Sequence, residues 1–461
     1  IRSLDNVNFT ANKLQDVVSE YRTLLKKQLF WMRSSSVISW ESINSIPGHV
    51  LEFLSKDKWI DLFQDFMSSL KNSQIRILGY MLVLFLWLKS AQIKQLLIET
   101  GKHLRKISTD KFTYTLQALF YTIVLALPWP LLTAFTGQQL TLSEAPGDFT
   151  QAVSVGLIWI VLPMYFLLFL RKLCLPQGLA DAHFKWNPVV TQRLNKALGR
   201  LMITFLPALF FTTIIINNGL EAKHEEFSRL IMIVTLLAFS LFFYRLIKPE
   251  DGILSPLIQE SPDSVLARYY NFWLFLVVIQ FVVLLILILI GYVYTASFLL
   301  RHFIQTVWLI FALILVHQLI RRWLLLSSRR LALKAAIERR QAALAEKTSR
   351  EDDESEQGTI EISEPEIDLV SLSNESNKLL KILLILGGLF GLVGIWAEVL
   401  PALTIFDDVS LWHRTGIVDG EEKIIPVSLG DVSLGLLTAL LTIIGARHIP
   451  SIIEIVLLQQ V

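Results

Sequence analysis

The sequence contains repeated apolar runs of about twenty residues, separated by short polar segments. A helix needs roughly 20 mainly apolar residues to cross about 30 Å of hydrocarbon, so runs of this length restrict the fold more than any other feature. Nine runs qualify: Gln74–Ala91, Phe112–Leu132, Ala152–Leu170, Leu198–Ile216, Leu230–Leu246, Tyr270–Tyr292, Phe298–Ile320, Leu379–Val399 and Val432–Ile452. They predict an all-α polytopic membrane protein with about nine transmembrane helices.

Composition and the absence of motifs exclude several classes of function. Of 461 residues, 53% are hydrophobic and 18% are charged, and a net charge of +2 is too small to indicate a nucleic-acid partner. The single cysteine, Cys174, excludes an internal disulfide and a cysteine-based metal site. The sequence has no Gly-rich phosphate loop, GxSxG or HExxH motif, and its histidines are scattered. We therefore expect no enzyme activity, no cofactor and no metal.

Lysine and arginine alternate between the predicted connections. The connection Thr136–Thr150 has no basic residue, whereas the segment after the seventh span, "RRWLLLSSRRLALKAAIERR", is the most basic in the chain. Because basic residues accumulate in cytoplasmic loops, this alternation predicts an N-terminus outside and Val461 inside. If the first run, whose apolar core from Ile77 to Leu88 is short, lies in the interface instead, the N-terminal region is cytoplasmic. Cys174 follows the third span, so a membrane-permeant maleimide should label it and an impermeant one added from outside should not.

Three extramembrane segments have distinct composition. The apolar side chains of Phe53–Leu70 fall largely on one helical face, which indicates either a helix in the headgroup layer or a soluble helix packed on an upstream domain. After the seventh span, helix formers continue to about Lys347 and an acidic linker follows; the two are either solvated separately or pair with each other. Pro401 to Gly430 is predicted to be a loop outside the membrane, with Trp412 as an interfacial anchor.

Polar side chains inside predicted spans are costly and are therefore candidate site residues. Glu398, near the outer end of the eighth span, is either a proton or cation site or an interfacial carboxylate hydrogen-bonded beside Trp396. Gln280, in the middle of the sixth span, is expected to make a hydrogen bond between helices. Arg301 and His302 lie at the outer start of the seventh span, where an interfacial position explains them.

Five stretches of the chain carry a family resemblance. They are "YRTLLKKQLFWMRS" (Tyr21–Ser34), "LCLPQGLADAHFKW" (Leu173–Trp186), "EPEIDLVSLSNESNKLLK" (Glu364–Lys381), "IWAEVLPAL" (Ile395–Leu403) and "VSLGDVSLGLLTALLTIIGARHIPSIIEIVLLQQV" (Val427–Val461). Their order and number resemble the large members of the small-conductance mechanosensitive channel family, the branch with potassium-dependent and miniconductance channels of Gram-negative bacteria. None of the stretches is a catalytic signature.

The resemblance implies a division of the chain into five regions. We expect a periplasmic or interfacial helical segment (1–72), a transmembrane sensor domain or paddle (73–346), a flexible cytoplasmic linker (347–378), an eighth span with its periplasmic loop (379–431) and the first helix of the channel core (432–461). The pore helix, the cytoplasmic domain and a long periplasmic region of that family are then expected to lie outside this sequence, so no residue here is assigned to the pore.

The resemblance also implies a function. We expect a homo-oligomer, heptameric by the family pattern, in the bacterial inner membrane, with lipids and ions as partners. It would sense tension and open under hypo-osmotic shock. Gly445 and Pro450 are a candidate hinge, with an ordinary helix end near Arg447 as the alternative. A secondary transporter or permease subunit using Glu398 and Gln280 is the alternative function, and a non-conducting scaffold is a third.

Overall fold

The computed structural model describes residues 10–15, 17–18, 21, 29–34, 44, 47–48, 51, 53, 55–71, 74–105, 110–143, 146–217, 221–248, 252–260, 265–352, 369–399, 410–418, 421–432, 435–436, 438–439 and 442. They belong to two compact units, and we treat each by itself. The first, which we call the bundle, comprises Ser35–Gly291 and Leu325–Leu331. The second, the helix-pair unit, comprises Ile1–Ser34, Tyr292–Leu324 and Ala332–Val461.

Helices dominate both units. The bundle contains α1 (Lys56–Lys71), α2 (Gln74–Lys102), α3 (Phe112–Ala126), α4 (Pro128–Thr141), α5 (Asp148–Leu173), α6 (Pro188–Asn217), α7 (Glu221–Ile247), α8 (Ser255–Glu260), α9 (Val265–Arg268) and α10 (Tyr270–Ile290). A 3₁₀ turn, His103–Arg105, follows α2, and a π-helical turn, Leu179–His183, lies between α5 and α6. The remaining elements are α11 (Val293–Asp352), α12 (Leu369–Trp396), β1 (Ser410–Val418) and β2 (Glu421–Ser428).

Helices of the bundle pack on their neighbours in chain order. Helix α2 contacts α3 and α4, α4 contacts α5, α5 contacts α6, α6 contacts α7, and α7 contacts α10. In their most apolar stretches, 39% of residues are buried in α5 and in α6, but only 22% in α10 and 11% in α2. Helices α5 and α6 therefore form the centre of the bundle, and α2 and α10 present most of their apolar surface outward.

The predicted second span is bent. Helices α3 and α4 meet at Leu127 with a 44° change of direction, because Pro128 and Pro130 lack the backbone N–H groups that would continue the helix. Near the start of α2, Gly79 packs against Phe135 of α4. Near the end of α2, Thr100 lies beside His183, which Thr115 of α3 also contacts. The pair thus runs antiparallel to α2 over about 30 Å, the length of one membrane span.

Helix α1 docks on the ends of α4 and α5. Phe53, Leu62 and Phe66 pack against a buried cluster that includes Leu140 and Ala152. Two side-chain bonds fix this contact: Thr150 Oγ1 donates to Asp65 Oδ2 at 2.7 Å, and Gln139 Nε2 donates to Ser69 Oγ at 2.9 Å. Three apolar side chains on its other side stay exposed: Ile60, Phe63 and Met67. A helix in the headgroup layer would present such an exposed apolar face, and this position stays a prediction.

Helix α10 ends at a glycine. Its sequence is the most apolar of the candidate spans, with a mean hydropathy of 3.3. Gly291 follows with φ 105°, a left-handed conformation that glycine adopts without a side-chain clash, and its N–H donates to the carbonyls of Leu287 and Ile288. This cap stops α10 and lets α11 begin at Val293.

The start of α11 is held by the segment 29–34 of the same unit. Phe30 is buried, its ring lies 5.8 Å from that of Phe298 in an edge-to-face arrangement, and its carbonyl accepts a hydrogen bond from the hydroxyl of Thr295. Ser34 Oγ accepts the N–H of Tyr294 at 3.2 Å. Part of the N-terminal family-like stretch thus packs on the first turns of α11.

The described residues contain fewer candidate spans than the whole sequence predicts, and one predicted loop contains strands. Within the described residues, six helices are long and apolar enough to cross a membrane, or seven if the bent pair is one span. Leu380–Trp396 in α12 is a shorter apolar helix, and most of the predicted ninth span lies outside the described residues. The polytopic helical class is confirmed. The predicted loop from Pro401 to Gly430 instead contains an antiparallel hairpin, with Trp412 opposite Val427 and Val418 opposite Glu421.

Candidate functional site

An open polar cleft lies between α11 and α12. It has a volume of about 410 Å³, and eight residues line it: Arg301, His302, Gln305, Trp308, Gly391, Gly394, Ile395 and Glu398. Within the described part of the chain, no side chain pairs with the guanidinium of Arg301. The cleft therefore combines an available cation, a carboxylate, an amide and an indole ring at one end of the helix pair.

His302 is the buried member of this cleft. Only 2% of the residue is exposed, and its Nδ1 lies 2.8 Å from the carbonyl oxygen of Phe298. A carbonyl can only accept, so Nδ1 carries the proton of this hydrogen bond. The other ring nitrogen, Nε2, lies 3.8 Å from Oε2 of Glu398. The imidazole and the carboxylate thus face each other across the cleft.

Glycines bring α12 against α11 beside the cleft. A Cβ on Gly391 would come within 2.7 Å of Leu309 Cδ1, and one on Gly388 within 3.0 Å of Leu313 Cδ1. Trp396 Nε1 adds a hydrogen bond across the pair, donating to Thr306 Oγ1 at 3.1 Å. Small residues at an interface of apolar helices allow close approach, and the sequence around Gly388 supplies them at a spacing of three.

A second polar site, which we call the histidine cradle, is buried in the bundle. His183 is 2% exposed, with Nε2 3.2 Å from Thr100 Oγ1 and Nδ1 3.2 Å from Thr115 Oγ1. Thr100 already donates to the Leu97 carbonyl, so it accepts from Nε2–H, and Thr115 donates to Nδ1. A neutral ring in this tautomer satisfies both hydroxyls, and it joins α2 and α3 to the connection after α5.

The backbone that presents His183 makes sharp turns. Gln177 has a left-handed conformation, φ 59°, and its N–H donates to Asp181 Oδ2 at 2.8 Å. Gly178 is required at the next position, because a Cβ there would lie 2.9 Å from the Leu175 carbonyl oxygen. The stretch Leu173–Trp186 therefore forms a defined structural connection rather than a passive loop.

Cys174 lies at the start of the same connection. The residue is 1% exposed, and burial raises the pKa of its thiol to about 12. The sequence-based expectation that a permeant maleimide labels it overlooked this burial. Cys174 is a packing residue and a poor reporter of topology.

The residues predicted from the sequence fall in different places. Glu398 lines the cleft and lies near His302, while the indole of Trp396 donates to Thr306. Gln280 is half-buried in α10, and within the described residues its side chain has no hydrogen-bond partner. Gly445 and Pro450 lie outside the described residues. His183 was not singled out by sequence reasoning, because its two hydroxyl partners are 83 and 68 residues away.

The outward surfaces of the spans are apolar. In the most apolar stretch of Val293–Arg330, 0% of residues are buried. On α12, Leu383 is 64% exposed and Phe390 76%, and α10 exposes Phe275 at 64%. Contiguous apolar surface of this kind indicates contact with lipid or with other protein subunits.

The chain was compared with known proteins. A family model described as "Mechanosensitive ion channel inner membrane domain 1" matches residues 75–412. This match contains α2 to α12, the histidine cradle and the polar cleft.

Curated relatives match over nearly the whole chain. The miniconductance mechanosensitive channel MscM of Escherichia coli is 26% identical over 477 residues, which cover 99% of this chain and 42% of that protein. The mechanosensitive channel MscK of the same organism is 22% identical, covering 99% of this chain and 39% of its own length. An uncharacterized MscS family protein of Haemophilus influenzae is 23% identical, with 100% and 42% covered. The chain thus spans about two fifths of the length of each of these relatives.

Proposed function

Because this chain belongs to the family defined by the inner membrane domain of mechanosensitive ion channels, we propose that it is the lipid-embedded, tension-sensing part of such a channel. The observation that carries the proposal is the family match over residues 75–412. The apolar outward surfaces of α10, α11 and α12 support it, since a tension sensor must contact lipid.

The physical basis of the proposal is a difference between two states. Tension shifts an equilibrium only if the closed and open states differ in their interaction with the membrane, for example in area or in fit to its thickness. The bent pair and the lightly buried helices at the edges of the bundle are surfaces through which thinning of the bilayer would act. Gly445 and Pro450 remain our proposed hinge for passing this motion onward.

We propose the orientation that the basic residues predict, in the bacterial inner membrane, with a periplasmic N-terminus and a cytoplasmic Val461. The test uses single cysteines in a Cys174→Ala background. Lys102→Cys, at the exposed end of α2, should be shielded from an impermeant maleimide added outside. Leu142→Cys, 58% exposed after α4, should react with it. The reverse labelling pattern would refute the orientation.

We also propose a homo-oligomer, with seven copies as in the family resemblance. The exposed apolar surface of α11 is compatible with contacts between copies as well as with lipid. Native mass spectrometry of the full-length protein gives the copy number directly. A monomer would contradict the proposal, and a closed ring of another size would correct the number.

The function itself is tested with the full-length protein in a bacterial strain that lacks its other mechanosensitive channels. Expression should restore survival after hypo-osmotic shock, because an open channel releases ions and small osmolytes. An expressed, membrane-inserted protein that gives no protection, but catalyses uptake of a solute, would favour the transporter alternative. The transporter alternative has no supporting observation at Gln280 or Glu398 beyond their positions in or near spans.

A further inference from the structure

Three basic side chains converge at the end of the bundle where α5 stops. We propose that this basic cluster, formed by Lys94, Arg171 and Lys172, binds an anionic phospholipid through the phosphate of its headgroup. The proposal concerns binding at equilibrium to one end of the bundle, so it depends neither on the proposed channel function nor on the proposed orientation.

Contacts at the end of α2 bring the basic cluster together. Thr100 Oγ1 lies 3.2 Å from Nε2 of His183, so the end of α2 packs on the connection that follows α5. Lys94 comes about two turns earlier on α2, and Arg171 and Lys172 are in the last turn of α5. Lys94 and Arg171 therefore lie close enough to Lys172 for their positive charges to repel its ammonium group.

The guanidinium of Arg171 is held in place by α6. Its Nε donates to Asn195 Oδ1 at 3.1 Å, and its Cζ lies 3.4 Å from the position that a Cβ on Gly199 would take. Within the described chain, no protein group accepts a hydrogen bond from its two terminal nitrogens. A positioned guanidinium with both terminal nitrogens available can bind two oxygens of one phosphate.

The described residues give the basic cluster no negative partner. No Asp or Glu side chain among them forms an ion pair with Lys94, Arg171 or Lys172. By contrast, Arg193 at the start of α6 donates to the carbonyl of Gly252 at 2.7 Å. Basic residues accumulate at cytoplasmic helix ends in general, but that tendency does not require them to converge. Converging like charges raise the free energy, and a bound phosphate would offset this repulsion.

The surroundings of the basic cluster indicate a lipid rather than a soluble phosphate compound. Trp87 lies two turns before Lys94 on the same face of α2, and Leu84, Trp87 and Leu88 are all exposed. Acyl chains can therefore lie along α2 while the phosphate reaches the cluster. A zwitterionic lipid would also bring its own cation towards three positive charges, so the cluster favours an anionic headgroup.

The test measures lipid binding to the purified full-length protein after delipidation in detergent. Phosphatidylglycerol and phosphatidylethanolamine with identical acyl chains are titrated separately, and bound lipid is detected by native mass spectrometry. We expect phosphatidylglycerol to bind about tenfold more tightly, and inorganic phosphate at the same concentration should not displace it. Equal binding of the two lipids, or displacement by inorganic phosphate, would overturn the proposal.

Single charge removals locate the site. Lys94→Gln and Lys172→Gln should each weaken binding of phosphatidylglycerol about fivefold, because each removes one cation from the phosphate. Lys89→Gln is the matched control, since Lys89 is exposed on another face of α2 and carries the same charge. It should leave binding unchanged. Equal losses from Lys89→Gln and Lys94→Gln would indicate diffuse attraction and contradict the site, as would wild-type binding by both cluster variants.

Discussion

The bundle and the helix-pair unit each contain at least one helix long and apolar enough to cross a membrane, yet different kinds of contact hold each unit together internally. In the bundle, side chains cross between elements at both ends: Asp65 with Thr150 at one, and His183 with Thr100 and Thr115 at the other. In the helix pair, glycine contacts and one indole hydrogen bond join α11 to α12, and most of the apolar surface stays outward. Internal side-chain contacts therefore stabilise the bundle, whereas the helix pair presents most of its apolar surface to its surroundings.

Two buried histidines among the described residues show the same contrast. In the bundle, both ring nitrogens of His183 are matched to hydroxyls, so the ring completes an internal contact. In the helix pair, His302 uses Nδ1 on its own helix and turns Nε2 toward an open cleft. One buried histidine thus completes an internal contact of its unit, and the other faces the carboxylate of Glu398 across a cleft.

The largest expected effect concerns the thiol of the bundle. Because the pKa of Cys174 is raised to about 12, its reactive thiolate fraction near neutral pH is about a thousandfold below that of an ordinary cysteine. Maleimide should label it at least a hundredfold more slowly than Arg321→Cys on the exposed surface of α11, measured in a Cys174→Ala background. Comparable rates would show that the bundle opens far more readily than its packing implies.

The same pKa predicts a pH dependence with a definite sign. The folded protein holds the Cys174 proton to higher pH than the unfolded chain does, so the free energy of unfolding should fall as pH rises from about 9 towards 12. Cys174→Ala should lack this component. Chemical unfolding of both proteins across that pH range measures the difference, and identical slopes would contradict the burial of the thiol.

Matched glycine substitutions test the packing contrast. A Cβ on Gly137 would lie 2.9 Å from Ile158 and 3.1 Å from the Ser154 carbonyl oxygen, whereas one on Gly391 meets only the flexible end of Leu309. Gly137→Ala should therefore destabilise by about 1–3 kcal/mol, and Gly391→Ala by less than about 1 kcal/mol. Gly387→Ala, with open space around it, is the control. Thermal unfolding in detergent ranks the three, and equal losses would remove the distinction.

Smaller effects are expected from the polar contacts. His183→Leu removes the ring that bonds two buried hydroxyls, of which Thr100 keeps its bond to the Leu97 carbonyl, and should cost about 1–2 kcal/mol. Trp396→Phe removes a half-buried hydrogen bond to Thr306 and should cost about 0.5 kcal/mol. Unfolding free energies of the two variants give the comparison. A larger loss from Trp396→Phe would mean that the helix pair, not the bundle, depends on its polar links.

Local sequence patterns predicted most of the fold, since span length and apolar content decide which helices cross a membrane. The bend at Leu127 could be expected from the sequence, because Pro128 and Pro130 interrupt helical hydrogen bonding. The hairpin was missed although its signal was present in the sequence, because an Asp-Gly dipeptide, which is common in two-residue hairpin turns, separates the sequences of β1 and β2. The candidate site was harder to predict than the fold. The position of Glu398 near the end of a predicted span singled it out, but its approach to His302 depends on how α12 packs against α11.

Pressure-clamp recording from the full-length protein, in membrane patches that lack other mechanosensitive channels, tests the account most directly. We predict discrete current steps that appear with suction, and a higher threshold when Phe390→Asn makes the most exposed aromatic position of α12 polar. Patches that contain the protein and stay silent up to the rupture pressure would contradict the assignment of this chain to tension sensing.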